Sequence, residues 1–196
     1  MVFAARAALD ALEGVAGADV LAAGCGTGRG LVWCRDQGAR SLTGLDQSPG
    51  MLAVARARLP GAALHAHDLR QPWPVPAGAF DLVLFCLTLE HIAELGPPLG
   101  SAARALRPGG RLLLLELHPI LARRGLGAHF VRDGVEYTLP TVAHTVYGLR
   151  AAVADAGLRL TGQRDWRPRD LPRGAPPAAH KRGPDVPLLI ELSAAR

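Results

Sequence analysis

The chain has 196 residues, 49% of them hydrophobic, enough for one domain around a single sizeable core. No apolar run approaches about 18 residues and no charged segment leads into one, which excludes a membrane-spanning helix and leads us to expect a soluble, cytoplasmic protein. The net charge of +5 is modest, and with a single lysine (Lys181) and no asparagine the arginine bias reads as that of a GC-rich genome before it reads as a polyanion site.

In chain order, the spacing of Phe3, Ala7, Ala8 and Leu12 predicts a helix over 3–13. The apolar run at 18–23 predicts a buried strand, which ends in Gly24-Cys25-Gly26-Thr27-Gly28 and feeds a helix over 28–37, closed by Gly38. A second strand is expected at 41–45. Ser48 and Pro49 then take the N-cap and first position of a helix that Pro60-Gly61 stops. Strand three is expected at 62–66, a Pro-rich loop at 69–79, and strand four over 80–85. A helix at 97–106 leads into the turn Arg107-Pro108-Gly109-Gly110 and strand five over 111–117. Residues 118–144 read as irregular, rich in His and Gly, with Gly127-Ala128-His129-Phe130 and Asp133-Gly134 marking turns. A helix at 145–156, strand six at 158–166, a Pro/Arg/Gly-rich loop at 168–187 and strand seven at 187–193 complete the chain. The alternation predicts a doubly wound α/β fold. We expect residues 1–196 to form one domain, with 118–144 inserted as a lid over a substrate.

Three alternating glycines between a strand and a helix let a ligand lie against bare main chain beside a helix N-terminus. A dinucleotide site needs glycine where Arg29 stands, which argues against a nicotinamide-dependent oxidoreductase. Asp46 ends strand two, 18 residues beyond Gly28, where a carboxylate can accept both hydroxyls of a ribose. Cys25, Cys34 and Cys86 have neither disulfide nor metal spacing, and no metal site is expected.

Four ordered segments carry a resemblance: Gly24-x-Gly26-x-Gly28, Gly44-Leu45-Asp46-Gln47-Ser48-Pro49-Gly50-Met51-Leu52, the Phe80–Phe85 strand followed by Glu90-His91-Ile92, and Arg107-Pro108-Gly109-Gly110-Arg111-Leu112. Together they resemble the class I S-adenosylmethionine (SAM)-dependent methyltransferases, in the small-molecule, type 11-like group. The resemblance implies a Rossmann-like seven-stranded sheet of order 3-2-1-4-5-7-6 with strand seven antiparallel. It implies a SAM site at the carboxyl ends of strands one and four, where the strand order reverses. By the same resemblance Gly24, Cys25, Gly26 and Gly28 cradle the cofactor. Asp46, beside Gln47, meets the ribose, Met51 lies near the adenine, and Asp68 and the Leu69 N–H read its edge. Cys86 and Leu87 flank the methionine part. Asp81 is expected to be structural. One position departs from the pattern: the acid usual two residues before the first loop glycine is Ala22 here, and Asp19 is too early to replace it and lies on the other face of the strand.

Methyl transfer is an in-line displacement that chiefly needs a positioned nucleophile, helped by a base where that nucleophile is oxygen. Candidates past strand five are Glu116, His118, His129, Tyr137, His144 and Tyr147. His118 and His144 are named as catalytic because histidine titrates near neutral pH, with a turn-filling role before Pro119 as the alternative for His118. Cys86 lacks the Pro-Cys context of a nucleophile. The Asn-Pro-Pro-Tyr motif of nucleobase enzymes is missing, and the basic residues Arg164, Arg167, Arg169, Arg173, Lys181 and Arg182 around Trp166 read as a solvated loop. The expected function is methyl transfer from SAM to an O or N atom of a small-molecule acceptor, without nucleic acid or membrane as partner and with no oligomeric state indicated. A SAM-binding module with lost activity, or an RNA or protein methyltransferase, is the alternative.

Overall fold

Hydrophobic side chains along the central strands alternate between two faces, and each face is covered by its own helices. The computed structural model describes residues 2–125, 129–133, 135–181 and 183–196. The elements run α1 (Val2–Asp10), β1 (Asp19–Ala23), α2 (Arg29–Asp36), β2 (Ser41–Asp46), α3 (Pro49–Arg58), β3 (Ala63–Ala66) and β4 (Phe80–Cys86). They continue through α4 (Gly96–Ala105), β5 (Leu106–Leu117), α5 (Pro119–Arg123), β6 (His129–Arg132), β7 (Val135–Thr138), α6 (Val146–Asp155), β8 (Arg159–Trp166), α7 (Pro177–His180) and β9 (Leu189–Ala195).

Seven strands form one sheet in the order β3-β2-β1-β4-β5-β9-β8. The first five pair in parallel, and β9 runs antiparallel to both β5 and β8. This is the expected 3-2-1-4-5-7-6 arrangement, with β8 and β9 as its sixth and seventh strands. Val20, Leu82, Leu84, Leu113 and Leu115 face α1 and α2, while Leu21, Val83, Phe85, Leu112 and Leu114 face α4 and α6. The period of two is that of the pleat. The short, mostly exposed β3 makes one edge of the sheet. At the amino ends of β1 and β4, Asp19 and Asp81 are tied to Arg40 and Arg107. Asp81 also accepts the Asp19 N–H at 2.8 Å, so its role is structural, as expected.

Two segments depart from the sequence reading. Residues 118–144 are not irregular throughout: α5 follows His118, and β6 and β7 pair as an antiparallel hairpin. Asp133, in the turn between them, adopts the left-handed region at φ 52°, a position that aspartate tolerates. Gly127, Ala128 and Gly134 of the expected lid turns lie outside the described residues. The second departure is β5, which begins at Leu106 because Leu106 pairs with Phe80 before the register slips to Leu82 opposite Arg111. The Pro-Gly-Gly turn sits within that slip, with Gly109 at φ 77°.

Candidate functional site

The carboxyl ends of β1, β2 and β4 converge on the glycine loop. The Gly24 and Cys25 N–H groups both donate to Leu45 O, at 2.8 and 2.9 Å, which pins the loop to the end of β2. All three glycines have positive φ, 71°, 53° and 79° in turn, and a side chain there would be strained. A Cβ at Gly24 would sit 2.2 Å from Thr88 Cγ2, whereas one at Gly26 would meet nothing within 4 Å. The loop is therefore closed on the Thr88 side and bare on the other.

Asp46 stands beside this bare stretch. Its Oδ2 accepts the Gly26 N–H at 2.7 Å and its Oδ1 the Ser48 N–H at 2.9 Å. A carboxylate offers about four acceptor positions, so each oxygen keeps one for a diol. Ser48 caps α3 through the Met51 N–H at 3.3 Å. Met51, one turn further, is 47% exposed, and Gln47 is exposed as well. Asp68 and Arg70 form a two-pronged ion pair with Nη2–Oδ2 at 2.6 Å. That guanidinium holds the Asp68 carboxyl down to about 2, so the acid is ionised but its lone pairs are shared. Leu69 is buried, and its carbonyl accepts Trp73 Nε1–H at 3.1 Å.

Past β4 the chain turns sharply. Leu87 takes φ 57°, a strain of roughly 1–3 kcal/mol for a side chain of this kind, and its N–H is anchored on Leu115 O at 2.8 Å. The thiols on either side of the crevice are inert. Burial and Asp46 push Cys25 up to about 12, and burial and Glu116 do the same for Cys86.

Behind Thr88 lies an acidic cluster that was not read from the sequence as a unit. Glu116, at the end of β5 and 3% exposed, gathers the N–H groups of Thr88 (3.0 Å to Oε2) and Leu89 (3.1 Å). Its carboxyl is pushed up to about 8 by burial and by repulsion from Glu90, against the pull of those N–H groups. Glu90 is itself 7% exposed and raised by burial, with His91 opposing the rise. Its Oε2 is buried and, among the described residues, meets no hydrogen-bond donor. Thr88 links the cluster to the glycine loop, its Oγ1 lying 3.3 and 3.4 Å from the carbonyls of Ala23 and Gly24.

A strap formed by residues 139–145 lies over this cluster. Val142 N–H donates to Glu90 O at 2.7 Å. His91 Nδ1 lies 3.0 Å from Pro140 O, and His144 Nε2 lies 3.1 and 2.9 Å from the carbonyls of Leu89 and Ile92. Facing two acceptors, His144 Nε2 carries the proton, so only Nδ1 could act as a base. Beneath the strap is a cavity of about 10 Å³ lined by Leu89, Glu90, Glu116, Leu117, Val142 and His144, among others.

His118 belongs elsewhere. Its Nδ1 accepts the Ile120 N–H at 3.2 Å as the cap of α5, and its Nε2 lies 3.5 Å from Asp165. Both ring nitrogens have protein partners, and burial lowers its pKa with help from Arg167 and Arg123, while Asp165 opposes. The turn-filling alternative therefore fits His118 better than a base. His129 lies in β6, Tyr137 is half-exposed on β7, and Tyr147 is 81% exposed at the start of α6.

The usual acid opposite the cofactor amine has no substitute on β1. Ala22 is buried between Gly44 and Leu84, and Asp19 accepts Ser41 Oγ–H at 2.7 Å at the opposite end of the strand. In the late basic patch Arg167 pairs with Asp165 and Arg169 with Asp185, and the Arg164 guanidinium lies 3.8 Å over the Trp166 ring. Arg182 lies outside the described residues. Among the described residues no three His, Cys, Asp or Glu side chains converge as a metal site, and no helix is long and apolar enough to cross a membrane.

A strand-ordered crevice of this kind, with a bare glycine loop on one wall and the Asp46 carboxylate on the next, has the class I methyltransferase fold. A family profile for the methyltransferase domain matches residues 21–114. The chain is 36% identical over 143 residues to a demethylmenaquinone methyltransferase of Tropheryma whipplei, covering 72% of this chain and 58% of that protein. It is 38% identical over 101 residues to a malonyl-[acyl-carrier protein] O-methyltransferase of Serratia marcescens, covering 52% of this chain and 39% of that one. A SAM-dependent methyltransferase structure from Mesorhizobium loti superposes with a TM-score of 0.82 at 26% identity, covering 98% of both chains. The chain belongs to the class I SAM-dependent methyltransferases. It spans 58% of the length of the Tropheryma relative.

Proposed function

We propose that the protein binds SAM and transfers its methyl group to an O or N atom of a small molecule. The observation that carries this reading is the shared opening of the Gly26 main chain and Asp46: a Cβ would meet nothing there, and both carboxylate oxygens keep unspent acceptor positions. Gly24, Cys25, Gly26 and Gly28 would hold the amino-acid end, Asp46 and Gln47 the ribose, Met51, Asp68 and Leu69 the adenine, with Cys86 and Leu87 alongside. When bound, SAM supplies a sulfonium methyl that needs no further activation. The chain's task is then to orient a nucleophile and exclude water. The region 118–144 is read as the acceptor lid. The demethylmenaquinone and malonyl-acyl-carrier relatives support a small-molecule acceptor, and the ion pairs of Arg167 and Arg169 support a reading without nucleic acid. Three free thiols support a cytoplasmic setting.

Ala22 favours one second reading, a SAM-binding module without turnover. Incubation with methyl-labelled SAM and a pool of small metabolites separates the two. Label in an extractable small product, with S-adenosylhomocysteine (SAH) released, is expected. Tight SAH binding with no label transferred would favour the module.

A further inference from the structure

The Glu90 carboxylate is an anomaly if the loop after β4 serves only to close on Gly24. A buried acceptor oxygen without a donor costs free energy, so native folds rarely leave one. Glu116, its neighbour in the cluster, accepts two main-chain N–H groups, those of Thr88 and Leu89. Glu90 has only His91 Nε2 at 3.8 Å from Oε1, and its Oε2 has no donor among the described residues. That oxygen belongs to a side chain lining the cavity of about 10 Å³ under the strap, room for a single water-sized group. The remaining walls are largely apolar, and one of them is Leu89, whose chain neighbour Thr88 touches the glycine loop.

We propose that Glu90 receives the methyl acceptor: its Oε2 takes a hydrogen bond from a hydroxyl or neutral amine N–H and accepts that proton during transfer. The inference rests on the methyltransferase reading above. The bonds balance as follows. The acceptor O or N bonds to the methyl carbon, the carbon–sulfur bond breaks with its electron pair left on sulfur, and the acceptor proton passes to Glu90. A hydroxyl has the size of the cavity, while the acceptor's body would lie outside it, along the exposed apolar side chains of Leu139, Val142 and Tyr147. The same geometry rejects a carboxylate acceptor. A second anion would face the buried Glu90 carboxylate, and the imidazoles nearby, His91 and His144, already spend one nitrogen each on main-chain carbonyls.

Two probes with the same body and different heads, para-octylphenol and para-octylbenzoate, test this in the SAH-saturated protein by calorimetric titration. The phenol is expected to bind at least about tenfold more tightly than the benzoate. Glu90→Gln is expected to cut that preference to below about threefold, and Glu90→Leu, the second variant, to abolish it, with SAH affinity in both within about twofold of the unsubstituted protein. Equal binding of the two heads, binding of neither, or a preference that survives both substitutions overturns the proposal. SAH failing to bind the unsubstituted protein would instead refute the cofactor reading beneath it.

Discussion

Thr88 and His118 show two uses of a polar side chain at a strand end. The Thr88 hydroxyl bridges carbonyls of β1 and its own loop, so one residue fixes where the glycine loop closes. His118 does comparable work for α5, whose first turn would otherwise leave N–H groups unmet. His118→Ala is therefore expected to lower stability by about 1 kcal/mol, the usual cost of a lost cap. SAH affinity should stay unchanged, and denaturant melts beside a calorimetric titration would check both. A fall in affinity with stability intact would return His118 to the site. The places of Asp46 and the glycines in the fold were legible because they fall at the ends of strands two and one at a readable spacing. The Glu90–Glu116 cluster was not, because those residues lie 26 apart in sequence and meet only through the pairing of β4 with β5. The acid at the end of an otherwise leucine-rich strand was the available signal.

β5 and the loop after β4 are joined by Glu116, and this joint has a pH signature. The folded carboxyl is raised to about 8 from an ordinary value of 4.5. Between those limits the native state holds a proton the unfolded chain has released, so stability falls as pH rises from about 5 to 8 and levels off above. Denaturant melts at pH 5, 6.5 and 8 should show this loss in the unsubstituted protein and a flatter profile in Glu116→Gln. Parallel profiles would mean the carboxyl ionises normally in the fold. The strands β1 to β5 were readable from apolar runs between turn residues. The β6–β7 hairpin was not, although Asp133-Gly134 is a strong turn pair, because its flanks are short and their pairing is antiparallel rather than part of the alternating sheet pattern. The strap of 139–145 has no periodicity of its own and is held by hydrogen bonds to the loop it covers.

Across the whole molecule, charge and function occupy opposite ends of the sheet. Asp19, Asp81, Arg40 and Arg107 are spent on one another at the amino ends of the strands. The carboxyl ends carry bare main chain, the Asp46 carboxylate and the buried acid Glu116. The alternation of elements predicted a doubly wound α/β sheet, while its strand order came from the family resemblance; the observed order leaves a crevice between β1 and β4, where the winding reverses. Everything proposed here about chemistry requires an adenosyl ligand in that crevice, gripped by Asp46. Calorimetric titration of the unsubstituted protein and of Asp46→Ala with SAH tests this most directly. One-to-one binding that weakens at least about tenfold in Asp46→Ala, near 1.4 kcal/mol, is the predicted result; no binding to the unsubstituted protein, or equal affinity in the two, would contradict it.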